Sequence, residues 1–177
     1  MAELLDLTEL LNTPGMRVPY EVDLPCTPEL ELDCASNVTG RLVFTNTGNV
    51  LVVLGDVEVA LRSTCPRCLA DVTSILDAPV DEGFTVADGL VRCRADDEDG
   101  VVDPTVVAVF PEGNLLNLTE LVRQGIVLAG PVEPLCREDC QGLCPTCGAN
   151  RNETQCQCVP PVDSPLSALA NLYKQEK

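Results

Sequence analysis

The residues of this chain best suited to chemistry are its cysteines, and their spacing predicts metal sites. Eight of the eleven cysteines fall into four close pairs: Cys65/Cys68, Cys136/Cys140, Cys144/Cys147 and Cys156/Cys158. Two thiolates separated by two residues at a tight turn can converge on one ion, with zinc–sulfur distances of about 2.3 Å. In the reducing cytoplasm such clusters are metal ligands before they are disulfides. We therefore predict that these eight residues bind metal.

Two of the pairs have the spacing of a metal-binding turn. The segment Cys144-Pro-Thr-Cys147-Gly148 places a proline between the ligands and a glycine after them. The glycine permits a positive φ, which lets backbone N–H groups approach the sulfurs. The segment Cys65-Pro-Arg-Cys68 keeps the proline but lacks the glycine.

Structural zinc takes four ligands, so eight cysteines predict two zinc ions. The favoured arrangement has a local set, Cys144, Cys147, Cys156 and Cys158, joined by the polar loop 149–155. It leaves a second set of Cys65, Cys68, Cys136 and Cys140. The rival arrangement puts Cys136, Cys140, Cys144 and Cys147 on one ion and leaves Cys65/Cys68 with Cys156/Cys158 or with nothing.

Other uses of the cysteines remain open. A rubredoxin-like iron site also uses C-x2-C-Gly, so iron is the alternative metal and electron transfer an alternative function. Thiol redox chemistry at Cys65/Cys68 would need a helix N-terminus after the first cysteine, whereas strands are predicted on both sides. The three unpaired cysteines, Cys26, Cys34 and Cys93, are predicted to be buried as small apolar residues.

The composition argues against catalysis. The chain has no histidine, which removes Ser-His and Cys-His pairs and every metal site that needs imidazole. The densest carboxylate cluster, Asp96 to Asp99, is typical of a solvated loop, with a surface for a basic partner as the alternative. We expect a non-enzymatic protein with no catalytic residues and no small-molecule substrate.

The net charge of −17 indicates which partners suit the chain. Nucleic acids are bound mainly through Lys and Arg, so a strongly acidic chain favours a basic protein over bare RNA, unless the charge serves only solubility. No apolar run approaches the ~20 residues needed to cross a bilayer. The first residues lack the features of a signal peptide. We expect a cytoplasmic protein with no membrane partner.

Most of the chain has a β-strand pattern. Apolar residues alternate from Val18 to Leu24, and short β-branched runs up to Val86 are separated by turns predicted at Thr45–Asn49 and Gly55-Asp56. A further strand is predicted over 106–110. Residues 2–11 fit either a short helix or an extended arm. The pattern predicts an α+β protein with an antiparallel β-rich core, a meander or barrel-like sheet, and a few helices.

A helix is predicted over 117–129, capped by Asn117, and it closes a β-rich domain of residues 1–130. The remainder, 131–177, forms a cysteine-rich zinc tail with a short last helix beginning at Ser164. The tail is polar and rich in proline, so it needs the ~10–16 kcal/mol that a structural zinc can supply.

The tail motif carries a family resemblance. The block from Pro134 to Asn150, with Cys136, Cys140, Cys144-Pro-Thr-Cys147-Gly148, and then Asn152 and Cys156-Gln-Cys158, resembles the bacterial YceD family. Cys65-Pro-Arg-Cys68 is similar to that family's central motif, and the match runs from about residue 40 to 172.

The resemblance implies a role in large-subunit ribosomal RNA processing or stability. Genes of the family typically neighbour that of a small basic protein of the large subunit. We therefore expect a ribosome-biogenesis factor that binds a basic ribosomal protein or a pre-ribosomal particle.

Overall fold

The computed structural model describes residues 3–92, 103–131 and 133–158. The chain forms two compact units. The first comprises Met1–Ser63 and Thr73–Val132, and the second comprises Thr64–Val72 and Glu133–Lys177. The second unit therefore takes in a short internal stretch of the chain as well as the cysteine-rich region.

A five-stranded sheet is the main element of the fold. Its strands are β2 (Arg17–Leu24), β3 (Val38–Asn46), β4 (Val50–Thr64), β5 (Asp71–Ala87) and β6 (Leu90–Val91). They lie side by side in chain order, and the registers of β2/β3, β3/β4 and β5/β6 are antiparallel. This meander confirms the predicted α+β class with an antiparallel β-rich core.

The remaining elements are short. They are β1 (Leu4–Asp6), helix α1 (Thr8–Leu11), a 3-10 helix (Pro28–Leu30), α2 (Pro104–Val109), β7 (Leu115–Asn117) and α3 (Leu118–Ala129). Strand β1 pairs with β7 in an antiparallel two-stranded sheet. Both alternatives for residues 2–11 are thus realised, since a strand precedes a helix there. No helix in the described ranges is long and apolar enough to span a membrane.

The core of the first unit is mainly aliphatic, as expected for a chain with 3% aromatic residues. Alternate residues of the strands point inward, among them Val22, Leu42 and Phe44, because successive side chains of a strand face opposite sides. One face of α3 is buried with them through Leu121 and Ile126.

Helix α3 begins and ends as predicted. The Asn117 side chain accepts a hydrogen bond from the Glu120 backbone N–H (3.1 Å), which satisfies one of the free donors at the helix N-terminus. The Glu120 carboxylate takes two hydrogen bonds from the Arg123 guanidinium, at 2.7 and 2.8 Å.

The strand predicted over 106–110 is wrong, because residues 106–109 belong to α2 and Phe110 is the residue that ends this helix. The Asp103 carboxylate accepts a hydrogen bond from the Thr105 backbone N–H (2.8 Å), and Pro104 occupies the first turn. A capping aspartate followed by proline starts a helix. Three nearby valines, whose β-branching favours strands, obscured that signal.

The turn predicted at Gly55-Asp56 is also wrong, since both residues lie inside β4. Gly55 pairs with Leu42 of β3, and a Cβ at Gly55 would fall on the Arg41 carbonyl oxygen. Glycine here permits a close approach of two strands, which is the other common reason for a glycine in a strand.

The unpaired cysteines differ in their exposure. Cys34 is buried, as predicted. Cys26 is exposed, contrary to prediction, because it lies in the connection between β2 and the 3-10 helix. Cys93, the acidic loop Asp96–Asp99 and the helix predicted from Ser164 lie outside the described residues.

Candidate metal centres

The structure brings the eight paired cysteines together as two sets of four, both in the second unit. The first tetrad is Cys65, Cys68, Cys136 and Cys140, and the second tetrad is Cys144, Cys147, Cys156 and Cys158. Within each tetrad the four sulfur atoms all lie within 4.8 Å of one another. These are the sets of the local arrangement favoured by the sequence.

The sulfur separations in the first tetrad suit a tetrahedral ion. The Cys65 and Cys140 sulfurs are 3.9 Å apart, and those of Cys68 and Cys136 are 3.5 Å apart. Four sulfurs at about 2.3 Å from a tetrahedral zinc would be about 3.8 Å from one another. A donor set made only of cysteine sulfur favours zinc or iron. Each tetrad can therefore hold one such ion.

The two C-x2-C turns have the same backbone hydrogen bonds. In the first turn the Leu69 N–H donates to the Cys65 carbonyl (2.9 Å), and the Cys65 N–H donates to the Ala70 carbonyl (2.9 Å). In the second turn the Gly148 N–H donates to the Cys144 carbonyl, and the Cys144 N–H donates to the Ala149 carbonyl, both at 2.8 Å. Local sequence therefore builds the same ligand turn twice.

The residue after each turn has a positive φ. Gly148 has a φ of 73°, as its sequence position predicted. The equivalent residue of the first turn is Leu69, with a φ of 59°. Its side chain is 63% exposed, so little burial offsets the unfavourable backbone conformation.

Backbone N–H groups favour the thiolate at the first cysteine of each turn. Hydrogen bonds from the N–H of Cys136 and then of Cys68 lower the pKa of Cys65 to about 6. A hydrogen bond from the N–H of Cys147 does most to lower the pKa of Cys144 to about 6. Both sulfurs are therefore prepared to act as anionic ligands.

Without a cation, the remaining sulfurs cannot all ionise. The neighbouring Cys68 sulfur is the main cause that raises the pKa of Cys136 to about 12. The Cys147 sulfur likewise raises the pKa of Cys158 to about 12. Four thiolates at these separations repel one another, and a bound cation is what makes the fully ionised set stable.

The first tetrad is largely shielded from water. Cys65, Cys68 and Cys140 are buried and form a small apolar cluster, with Ala70, Val72 and Leu135 packed against it. Cys136 is exposed. The tetrad joins cysteines as far as 75 positions apart in the chain.

Cys140 also receives a hydrogen bond from a side chain. The Asn152 amide donates to the Cys140 sulfur at 3.3 Å. Burial alone would raise the pKa of Cys140, but this amide and the Gly142 N–H lower it. The role of Asn152 was not predicted from the sequence, and its position in the tail motif, two residues after Asn150, was the available signal.

No solved structure matches this chain. The family model of "Large ribosomal RNA subunit accumulation protein YceD" matches residues 53–173. An uncharacterized protein from Mycobacterium tuberculosis (strain ATCC 25618 / H37Rv) is 32% identical over 151 residues, covering 81% of this chain and 68% of that protein. A second uncharacterized protein, from Mycobacterium leprae (strain TN), is 23% identical over 152 residues, covering 82% and 65%.

A plant relative carries a descriptive name. "Large ribosomal RNA subunit accumulation protein YCED homolog 1, chloroplastic" from Zea mays is 37% identical over 60 residues, or 33% of this chain and 20% of that protein. The family match covers more than half of the present chain, including both cysteine tetrads. The chain therefore belongs to the YceD family of large ribosomal RNA subunit accumulation proteins.

Proposed function

We propose that this chain is a non-enzymatic zinc protein of the cytoplasm that supports the accumulation of large-subunit ribosomal RNA. It does so by binding a basic ribosomal protein or a pre-ribosomal particle. The observation that carries the proposal is the pair of four-cysteine sets inside the region matched by the YceD family model.

Zinc is the metal we assign to both tetrads. Four sulfur donors in a closed set, with no place left for a substrate, are typical of structural zinc. A rubredoxin-like iron centre has the same ligands, and the two metals are separated by colour, since only ferric iron in four thiolates absorbs strongly in the visible range. Colourless protein with bound zinc supports the proposal.

The surroundings of the first tetrad favour a structural role over thiol chemistry. A reactive cysteine of the thioredoxin type lies at a helix N-terminus. Residues Pro66 to Cys68 form a turn, and the next regular element is strand β5. A thiol enzyme would alkylate rapidly at one cysteine while the metal is bound, whereas a structural site should resist alkylation at all eight.

The charge of the chain supports a basic partner. Acidic residues outnumber basic ones by 28 to 11. Exposed carboxylates follow the outward side of β2 and β4, at Glu21, Asp23, Asp56 and Glu58, and Arg41 pairs with Glu21 at 3.3 Å. Such a surface attracts a basic protein over a long range and repels the phosphates of RNA.

The experiment has a cellular arm. The gene is depleted in its own host, and the ratio of large-subunit to small-subunit ribosomal RNA is measured. Depletion should lower the ratio, the wild-type chain should restore it, and Cys65→Ser/Cys68→Ser should not. An unchanged ratio after depletion would contradict the proposed role.

A binding arm tests the partner. Purified chain is mixed with basic large-subunit proteins, or with naked ribosomal RNA, at increasing salt. The proposal expects a complex with a basic protein that weakens as salt rises. Tight binding to naked RNA at physiological salt, with no protein complex, would overturn the partner assignment.

A further inference from the structure

Asn152 connects the two tetrads through its side chain. In sequence it lies between Cys147 and Cys156, which are ligands of the second tetrad. Its amide nitrogen, however, donates to the sulfur of Cys140 in the first tetrad, at 3.3 Å. A residue in the loop between two ligands of the second tetrad therefore contacts a ligand of the first tetrad.

The hydrogen bonds of Asn152 fix the orientation of its amide. The amide oxygen accepts from the Gln141 backbone N–H (2.8 Å) and from the Arg137 guanidinium (2.9 Å). The amide nitrogen donates to the Asn150 side-chain oxygen (2.9 Å) as well as to Cys140. Rotating the amide by 180° would place an oxygen against two acceptors and a nitrogen against two donors.

The loop that carries Asn152 depends on the second tetrad. Both ends of the loop are fixed by cysteines of that tetrad, Cys147 and Cys156. Inside it, the Thr154 N–H donates to the Asn150 carbonyl (3.0 Å), and its Arg151 N–H donates to the carbonyl of Gly142, which lies outside the loop (2.9 Å). If the second tetrad held no metal, both ends of the loop would be free to move, and Asn152 would lose its fixed position.

The backbone segment from Cys140 to Cys144 also connects the two tetrads. The Leu143 N–H donates to the Arg67 carbonyl at 3.0 Å, and Arg67 lies between two ligands of the first tetrad. Gly142 has a φ of 69°, and a Cβ there would meet the Arg67 carbonyl oxygen at 2.9 Å. The segment from Cys140 to Cys144 is thus seated against the first turn while it begins the second.

We infer that the two tetrads bind their metals cooperatively, and that Asn152 is the positioning residue that couples them. The inference rests on the metal-binding part of the proposed function. Loading the second tetrad orders the loop and aims the Asn152 amide at the Cys140 sulfur, so the first tetrad binds more tightly. Loss of such a hydrogen bond to a ligand typically costs about 10- to 100-fold in metal affinity.

Thermodynamic linkage makes the inference quantitative. If metal binding at the second tetrad raises the metal affinity of the first by some factor, metal binding at the first must raise the metal affinity of the second by the same factor. Replacing Asn152 should remove the larger part of that factor. Its effect should also largely vanish once the second tetrad has been destroyed, because both changes break the same connection.

The experiment measures cobalt affinity of the full chain by competition with a chelator, following the visible absorption of cobalt in four thiolates. In Cys144→Ser/Cys147→Ser the first tetrad is the remaining metal site, and in Cys65→Ser/Cys68→Ser the second tetrad is the remaining metal site. Each should lower the affinity of the remaining tetrad by about 10-fold or more, and by the same factor.

Substitutions of Asn152 separate the amide donor from the rest of the side chain. Asn152→Ala removes both the donor and the acceptor, whereas Asn152→Asp keeps the acceptor for Gln141 and Arg137. Both should weaken cobalt binding at the first tetrad by about 10-fold and shift its sulfur-to-cobalt charge-transfer band. The charge-matched control Gln155→Glu, an exposed position of the same loop, should do neither.

The outcomes are distinct. No metal bound by the wild-type chain would defeat the proposed function itself. Metal bound by both tetrads, with equal affinity in wild type and in Asn152→Ala and Asn152→Asp, would overturn the coupling through Asn152 and leave the proposed function standing. The two Asn152 variants keep all eight ligands, so they decide the matter even if a cysteine variant fails to fold.

Discussion

Leu69 and Gly148 occupy equivalent positions in the two C-x2-C turns, and each donates its N–H to the carbonyl of the first cysteine of its turn, at 2.9 and 2.8 Å. Both have a positive φ, of 59° and 73°. A leucine therefore adopts a conformation that costs an L-residue roughly 1–2 kcal/mol. The geometry of the C-x2-C turn, and not the conformational preference of leucine, sets the φ of Leu69.

Substituting glycine for Leu69 and leucine for Gly148 should change the cobalt affinity of the two tetrads in opposite directions. Leu69→Gly relieves the backbone strain, less the greater chain entropy of glycine, and should strengthen cobalt binding at the first tetrad by up to about fivefold. Gly148→Leu should weaken binding at the second tetrad by about tenfold. Among the described residues, apart from its two chain neighbours, no atom lies within 4 Å of a Cβ at Gly148, so the loss would come from the positive φ and not from a clash of the Cβ. Weaker binding in Leu69→Gly would refute the strain argument.

Removal of metal should loosen the cysteine-rich region first. A strong chelator under reducing conditions takes away the free energy that orders this polar segment. Trypsin should then cleave after Arg137 and Arg151 much faster, while cleavage after Arg41 of β3 stays slow. Cys26→Ser, which spares both tetrads, should behave like wild type. Equal resistance at Arg137 with and without metal would argue against a structural ion.

The Glu120–Arg123 pair should make the first unit dependent on pH. The Arg123 hydrogen bonds hold the pKa of Glu120 below its usual value. A carboxylate with a lowered folded-state pKa contributes stability above its unfolded pKa of about 4.3, and this contribution is lost as the pH falls through the folded value.

Glu120→Gln should therefore lower the free energy of unfolding by about 1 kcal/mol at pH 7. The difference from wild type should shrink as the pH drops below about 4. Denaturant unfolding followed by the far-ultraviolet signal of the strands measures it, with the exposed Glu58→Gln as control. A difference that stayed constant down to the lowest accessible pH would contradict the assignment.

The close approach of β3 and β4 should make Gly55 intolerant of a side chain. A Cβ there would fall on the Arg41 carbonyl oxygen, so Gly55→Ala should cost roughly 2 kcal/mol or more as the strands move apart. Gly83→Ala is the matched control, because in the described part of the chain the one contact of a Cβ at Gly83, beyond its chain neighbours, would be Val50 at an ordinary 3.6 Å. Thermal unfolding of both variants makes the comparison, and equal midpoints would disprove the packing argument.

Sequence patterns were informative where one physical signal dominated. The alternation in β2 and the capped apolar face of α3 predicted elements that the structure confirms. The spacing of the cysteines also favoured the two sets that the fold brings together. In each case the relevant residues are close in the chain or share one strong chemical requirement.

Other features depend on contacts between distant residues. Nothing near Gly55 in the sequence indicates that Arg41 approaches it, so the glycine suggested a turn. The contact between Asn152 and Cys140 depends on how a loop folds back over the first tetrad. In α2 the competing signals were local, and the cap at Asp103 outweighed the β-branched valines.

Metal content is the most direct test of the central claim, that two sets of four thiolates each hold one zinc ion. The full chain is purified under reducing conditions without added metal and analysed by native mass spectrometry and elemental analysis. Two zinc ions per chain are expected, with one lost in Cys144→Ser/Cys147→Ser. If the chain carries no metal and its residues 133–158 resist trypsin as strongly as in metal-loaded protein, the central claim is contradicted.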